Sequence, residues 1–318
     1  MSAPIRLDAN QPADRFYRGG SRIRDFRGEA AAGDRVPEDW VGSATPLFGQ
    51  ERLGLSTVGD DLLRDLIAAD PVGWLGADHV ARWGSSPALL VKLLDAGERL
   101  PVHVHPDREF AVQHFASPFG KTEAWIAIES VTAKVGFSVS VSISAVCEWV
   151  TEQNIEAMLD AMTEVTIPAG SSIVVPAGVP HAIGEGAFIV ELQEPTDFSV
   201  LMEWRDFAID GSQHGHLQLG FETALQALDR SAWSPSRVAE LVADGPELAP
   251  AADGFFRAER VRGGVALDAG YSVIVVLEGA GRLGDASIAA GQTWVTPHSA
   301  GALDLIGDVE LVRCRPPR

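Results

Sequence analysis

The chain is short of cysteine, short of positive charge and without a long apolar run, and each shortage closes off a class of protein. Two cysteines in 318 residues, Cys147 and Cys314, cannot build a disulfide framework or a thiolate metal site. Both read as buried thiols, and a reducing cytoplasm is the expected setting. Against 44 Asp and Glu there are 25 Lys and Arg, for a formal net charge of -19. Such a surface repels phosphate backbones and anionic lipid, so neither nucleic acid nor membrane is expected as a partner. The longest apolar stretch, SVIVVL at 272–277, is too short to cross a bilayer. The opening residues lack the apolar core of a secretory signal. Glycine (32) and proline (19) are plentiful, and they punctuate short strands better than long helices. The 46% hydrophobic content suffices for a sizeable core.

Along the chain, residues 1–57 predict loops and short strands wrapped around that core. DDLLRDLIAAD (60–70) has helical spacing and is stopped by Pro71, and a second short helix is predicted at 76–82. Strands are predicted at 87–95, 100–107, 123–130 and 134–143, and a helix at 152–162. From 166 to 195 the pattern is strand, turn, strand, turn, strand, with Pro-Ala-Gly repeated at the turns. Helical spacing returns at 223–230 and 236–244, the latter opened by Ser234-Pro235. After PELAPAADG (246–254) a second β-rich block runs to the C-terminus with His298 as its only histidine.

The chemistry concentrates in the first block. His103 and His105 alternate with Val102 and Val104, so a strand here points both imidazoles to one side. Glu123 opens a strand after a Gly-Lys-Thr turn, and His181 comes just after the second Pro-Ala-Gly turn. Three imidazoles and a carboxylate suit Zn²⁺, Mn²⁺, Fe²⁺, Co²⁺ or Ni²⁺. Glu109 is a rival for the carboxylate by its spacing from the histidines; Glu123 is preferred because it leads into an alternating strand. In FIVELQ (188–193), Glu191 and Gln193 share a face with Ile189, which means a solvated face or, better beside His181, a polar cavity. Lys92, alone in an apolar run, either snorkels from an edge strand or reaches a pocket or carboxylate. Arg15, Arg18, Arg22, Arg24 and Arg27 form either a solvated basic face or an anion-binding lip.

Taken in order, PEDWVGSA (37–44), PALLVKLLDAGERLPVHVHPD (87–107), FGKTEAWIAIE (119–129), IPAGSSIVVPAGVPHAIGEG (167–186) and VELQEPTD (190–197) resemble the type I mannose-6-phosphate isomerases, zinc-dependent members of the cupin superfamily. The resemblance implies a mainly β fold: a cupin (double-stranded β-helix or jelly-roll) barrel with a helical insert and a second, metal-free cupin-like barrel. The corresponding divisions are 1–205 for the metal-binding domain with its N-terminal wrap, 206–248 for the helical segment and 249–318 for the C-terminal domain. It implies one Zn²⁺ per chain on His103, His105, Glu123 and His181, with Mn²⁺, Fe²⁺, Co²⁺ or Ni²⁺ as alternatives. Lys121, Glu191 and Lys92 become the catalytic set, and Trp40 a residue of the pocket wall. Two positions depart from the family pattern. His103 stands where the family has Gln, which keeps a ligand. PTDFSVLMEWRD (195–206) carries no arginine before Arg205, where the family has Thr-Tyr-Arg.

The activity so implied is aldose–ketose isomerisation of a sugar phosphate, mannose 6-phosphate to fructose 6-phosphate. Trp40, Gln193, Arg22 and Arg205 are the expected substrate contacts, with Arg22 or Arg24 or Arg205 standing in for the missing arginine. The alternatives are an isomerase of an unphosphorylated sugar, a cupin dioxygenase and a non-catalytic sugar-binding protein.

Overall fold

A computed structural model describes residues 3–28 and 33–318, and the expectation for the N-terminal wrap at 29–32 lies outside the described residues. Two antiparallel sheets form the first β-block. One has six strands in the order 242–243, 172–175, 123–127, 188–193, 90–95, 38–41; the other has five, in the order 200–201, 103–104, 181–183, 131–137, 162–167. Their strands are short and cut by the predicted glycine and proline turns, and their alternation sorts side chains to two faces. Leu94, Trp125, Ile173 and Ile189 from the first sheet meet Val131, Val135, Ile167 and Ile183 from the second in one core. The jelly-roll arrangement expected of the first block is therefore present.

The outward faces are covered as well. Val91, Leu93, Ile126, Val190 and Leu192 on the back of the six-stranded sheet pack on the helices that carry Leu63, Ile67 and Trp74 and on the C-terminal β-block. Val102, Val104, Ala182 and Val200 on the back of the five-stranded sheet pack on helices between 143 and 160 and on Ala224 and Leu225. Strands buried on both faces read as continuous apolar runs, and LLVKLLD and FIVELQ do so apart from Lys92, Asp95, Glu191 and Gln193.

The second β-block is a seven-stranded antiparallel sheet with its own core around Ile274, Val276, Leu283, Leu305 and Leu311. Its neighbours in sequence, Val273 and Val275, face the core of the first block. One strand of this sheet comes from the far end of the chain: Ile5–Leu7 pairs with Thr293–Thr296, Ile5 opposite Val295.

Local expectations fail where a polar side chain changes a segment's fate. The strand predicted over 134–143 ends at Phe137, and a helix starts at Ile143 because Ser142 caps it, accepting from the Ala145 N–H. Val139 faces solvent, 61% exposed, while Val141 packs partly on the core behind the five-stranded sheet. Of the helix predicted over 152–162 only Ile155–Asp160 forms: Glu152 ends a preceding helix, Ile143–Glu152, and Met162 already belongs to a strand. Gln153 separates the two helices in the left-handed region, at φ 51°. Its buried amide accepts from the N–H groups of Trp204 and Arg205 and donates to the carbonyls of Val150 and Met202, satisfying backbone of the helix end and of the 202–205 segment packed on it. The helix predicted over 236–244 stops at Ala239, and Val242–Ala243 joins the edge of the six-stranded sheet. Arg22–Arg27 is helical, inside a segment expected to hold only loops and strands.

Candidate metal centre and cavity

Two segments bring the histidines together. His103 and His181 sit directly opposite each other on paired strands. His105 lies just beyond, and the Gly178 N–H donates to its carbonyl at 2.8 Å. Gly178 has φ +87°, which a side chain would resist, so the Pro-Ala-Gly turn that aims His181 also ties it to the His105 segment. Glu123 arrives from the opposite sheet, paired with Gln193.

Each imidazole is oriented the same way. Nδ1 lies 2.8 Å from the Pro101 carbonyl in His103, 2.8 Å from the Phe198 carbonyl in His105 and 2.9 Å from the Val179 carbonyl in His181. A carbonyl can only accept, so every Nδ1 carries the proton and every Nε2 keeps a bare lone pair. These three ligand atoms lie within 4.8 Å of one another. Burial, with the charge of the neighbouring imidazoles and Lys121, holds His103 well below the ordinary histidine range. Burial and Lys121 bring His105 down to about 3. Neutral imidazoles are what a metal requires.

Glu123 completes the group. Its Oε2 lies 3.0 Å from His105 Nε2, and its Oε1 lies 3.1 Å from His181 Nε2. With both protons on Nδ1, these are lone pairs facing a carboxylate; the Lys121 ammonium bridges the His105 pair, and the His181 pair stays repulsive unless a cation sits between. Among the described residues neither Glu123 Oε2 nor His181 Nε2 has a hydrogen-bond partner, although both are buried. Buried polar atoms are seldom left so. Hard and borderline donors converging on one point, with their outer nitrogens fixed by carbonyls, fit a divalent transition metal. Glu109 is remote from this by character: it is exposed, in the first turn of the helix Arg108–Phe115, a surface charge.

Lys121 Nζ lies 2.9 Å from His105 Nε2 and 3.3 Å from Glu123 Oε2. Gly120 allows this approach, because a Cβ there would come within 2.6 Å of the Pro106 carbonyl oxygen. Next to the histidines opens a cavity of about 410 Å³, whose wall includes His103, Lys121, Glu123, Glu191, Lys92 and Glu38. Lys92 Nζ stands 3.3 Å from Glu38 Oε1, 4.0 Å from Glu191 Oε2 and 4.6 Å from the centre of the Trp40 ring. Burial opposes the Lys92 charge, but Glu191 and Glu38 outweigh it and raise the ammonium's pKa. Burial likewise opposes the Glu38 carboxylate, yet Lys92 and Arg15 bring it down to about 2. For Glu191 burial wins: with Lys92 pulling down and Glu123 pushing up, the carboxyl is raised to about 7. Breaking so buried an ion cluster is costly. Lys92→Met should destabilise the fold by about 3–5 kcal/mol in guanidinium unfolding, since it strands two buried carboxylates; a loss under about 1 kcal/mol would show the cluster to be well hydrated.

The expected residues divide at the cavity wall. Lys92, Lys121, Glu191, His103 and Glu123 border it, and His105 and His181 lie directly behind. Trp40 is fully buried and supports Lys92 from outside the lining, its Nε1 donating to Glu38 at 3.1 Å. Gln193 is buried and donates to the carbonyls of Glu194 and Thr196. Arg22 pairs with Glu129 at 2.9 Å and Asp95 at 3.8 Å, and Arg205 is exposed beside a separate hollow with Arg99 and Glu203; neither lines the cavity. The arginine cluster is no continuous lip, since Arg24 pairs with Asp25 and Arg27 with Asp39. Its member at the cavity is Arg15. Glu38 is not among the residues expected from the sequence, although a buried lysine needing a carboxylate was the available signal.

No family model matches the chain. It is 28% identical over 309 residues to the mannose-6-phosphate isomerase of Streptococcus mutans, covering 92% of this chain and 93% of that protein. It is 27% identical over 188 residues to a mannose-6-phosphate isomerase of Bacillus subtilis, covering 56% and 54%. Among solved structures, the mannose 6-phosphate isomerase of Bacillus subtilis superposes with a TM-score of 0.75 at 22% identity, over 98% of this chain and 99% of that one. A phosphomannose isomerase from Salmonella typhimurium does so at 0.75 and 15%, over 99% and 100%. The resemblance read from the motifs holds along nearly the whole chain, and the fold is shared.

Proposed function

We propose that the protein is a metal-dependent aldose–ketose isomerase that converts mannose 6-phosphate to fructose 6-phosphate. The observation that carries this reading is one cavity in which a metal-type donor cluster, a buried carboxyl of raised pKa and two lysines meet; the similarity to mannose-6-phosphate isomerases supplies the substrate. His103, His105, His181 and Glu123 would hold one Zn²⁺, and a bound divalent ion would polarise the carbonyl and neighbouring hydroxyl of an open-chain sugar. Glu191 moves the proton between C2 and C1, a task suited to a carboxyl lifted toward neutral pH by burial. Lys121 donates a hydrogen bond to the oxygen that gains charge as the proton leaves. Lys92, braced by Glu38 and Trp40, sets how strongly Glu191 holds its proton. The isomerase reading prevails over a dioxygenase, because oxidation has no use for a proton-shuttling carboxyl flanked by lysine.

The reading is tested by incubating metal-loaded protein with mannose 6-phosphate in D₂O and following the sugar by NMR. Appearance of fructose 6-phosphate with deuterium at C1 is expected; oxygen uptake without interconversion would point to the dioxygenase instead. Glu123→Gln should weaken Zn²⁺ binding by about 10-fold or more, and Glu109→Gln should leave it within about 2-fold. The opposite pattern in a competitive chelator titration would move the carboxylate ligand to Glu109.

A further inference from the structure

We infer that Arg15 is the residue that recognises the anionic end of the substrate, the phosphoryl group of the sugar phosphate; the inference rests on the isomerase reading. Arg15, Lys92 and Lys121 are the arginine and lysine side chains of the cavity wall, and they are not equivalent. Lys121 is engaged by His105 and Glu123 at the donor cluster. Lys92 is 3% exposed, enclosed by Glu38 and Glu191. The Arg15 side chain is 14% exposed, and its Nε lies 3.1 Å from Glu38 Oε2 without the alignment of a hydrogen bond. Glu38 and Asp197 balance the guanidinium charge and the Tyr17 hydroxyl bonds it, while its planar donor fork still borders the cavity. That fork matches the oxygens of a phosphoryl group in a way an ammonium does not.

The distribution of charge supports the same assignment. Three cationic side chains share the cavity wall with the carboxylates of Glu38, Glu123, Glu191 and Asp197. A divalent ion on the histidines turns this deficit of one positive charge into a surplus of one, so an anionic ligand is favoured over a neutral one. Arg22, Arg24, Arg27 and Arg205 are held elsewhere by acidic partners or solvent. The rest of the lining includes Ser199, Leu201, Gln218 and the exposed His214, none of which offers a guanidinium fork.

The test is calorimetric titration of Zn²⁺-loaded wild type, Arg15→Gln and Arg15→Lys with mannose 6-phosphate, free mannose and orthophosphate, with kcat/KM measured for both sugars. Arg15→Gln should weaken mannose 6-phosphate binding by about 100-fold, in the range found when a desolvated charge pair loses one member. Arg15→Lys should lose about 10-fold, keeping charge but not the fork. The loss for free mannose should be at least about 30-fold smaller than for its phosphate, and orthophosphate should behave as mannose 6-phosphate does. Equal losses on both sugars, or unchanged phosphate binding in Arg15→Gln, would overturn the assignment and leave Arg15 as a brace for Glu38. So would wild-type protein that prefers free mannose. If wild type binds mannose 6-phosphate through Arg15 yet forms no fructose 6-phosphate, the isomerase reading fails while the anion site stands.

Discussion

Replacing His105 with alanine is expected to take the metal content from about one ion per chain to near zero, and the isomerase rate down by at least about 10³-fold. The imidazole does more than donate one lone pair. Its Nδ1 is fixed on the Phe198 carbonyl, and its Nε2 faces both Lys121 and Glu123. Without it, Lys121 is free to close on Glu123 and neutralise the remaining carboxylate ligand. Lewis-acid assistance is worth several kcal/mol of transition-state stabilisation, and each 1.4 kcal/mol is about tenfold in rate, which sets the size of the loss. Inductively coupled plasma analysis of the purified variant, with circular dichroism to show an intact fold, checks the outcome. Full metal retention in a folded variant would remove this site from consideration.

Glu191→Gln is expected to lower kcat by about 10³–10⁴-fold, the upper part of the span for general acid–base residues, while mannose 6-phosphate still binds. The glutamine keeps the shape and cannot carry the proton. In wild type the acidic limb of kcat/KM reports deprotonation of this carboxyl, so activity falls as pH drops through it. Burial lifts the group to about 7, and the charge of an ion at the histidines draws the limb below that value. Lys92→Met should move the limb upward, because it removes the cation that favours the charged form. A limb that stays in place in Lys92→Met, or a Glu191→Gln variant with near-normal kcat, would assign the base elsewhere.

The donor cluster was legible in the sequence because it depends on local geometry. Two histidines at i and i+2 on a strand must share a face, and a turn marked by proline and glycine sets where the next strand begins. Lys92 and Glu191 were legible for the opposite reason: a charge inside an apolar run has to find a partner. The partner itself escaped. Glu38 is far from Lys92 in sequence and meets it through the pairing of Trp40 with Lys92, a register that no short-range pattern reveals. The same limit hid which N-terminal arginine borders the cavity, since five similar side chains differ only in which acid each reaches. Helix ends were misjudged where one side chain decided them, as at Ser142 and Gln153, whose capping competes with the apolar period.

The strand Ile5–Leu7 has a consequence for how the chain is made. Its partner, Thr293–Thr296, is synthesised some 290 residues later, so the first strand emerges from the ribosome long before its place in the sheet exists. The first β-block is complete once its edge strand Val242–Ala243 has emerged, but about 50 further residues must be added, which takes roughly 3–10 s at ordinary elongation rates. During that interval the leading strand is an unpaired edge, the kind of segment that recruits other chains. Asp8 and Arg6 beside and within it place charge on that edge. Only when the last sheet forms are Ile5–Leu7 and Thr293–Thr296 held in one structure.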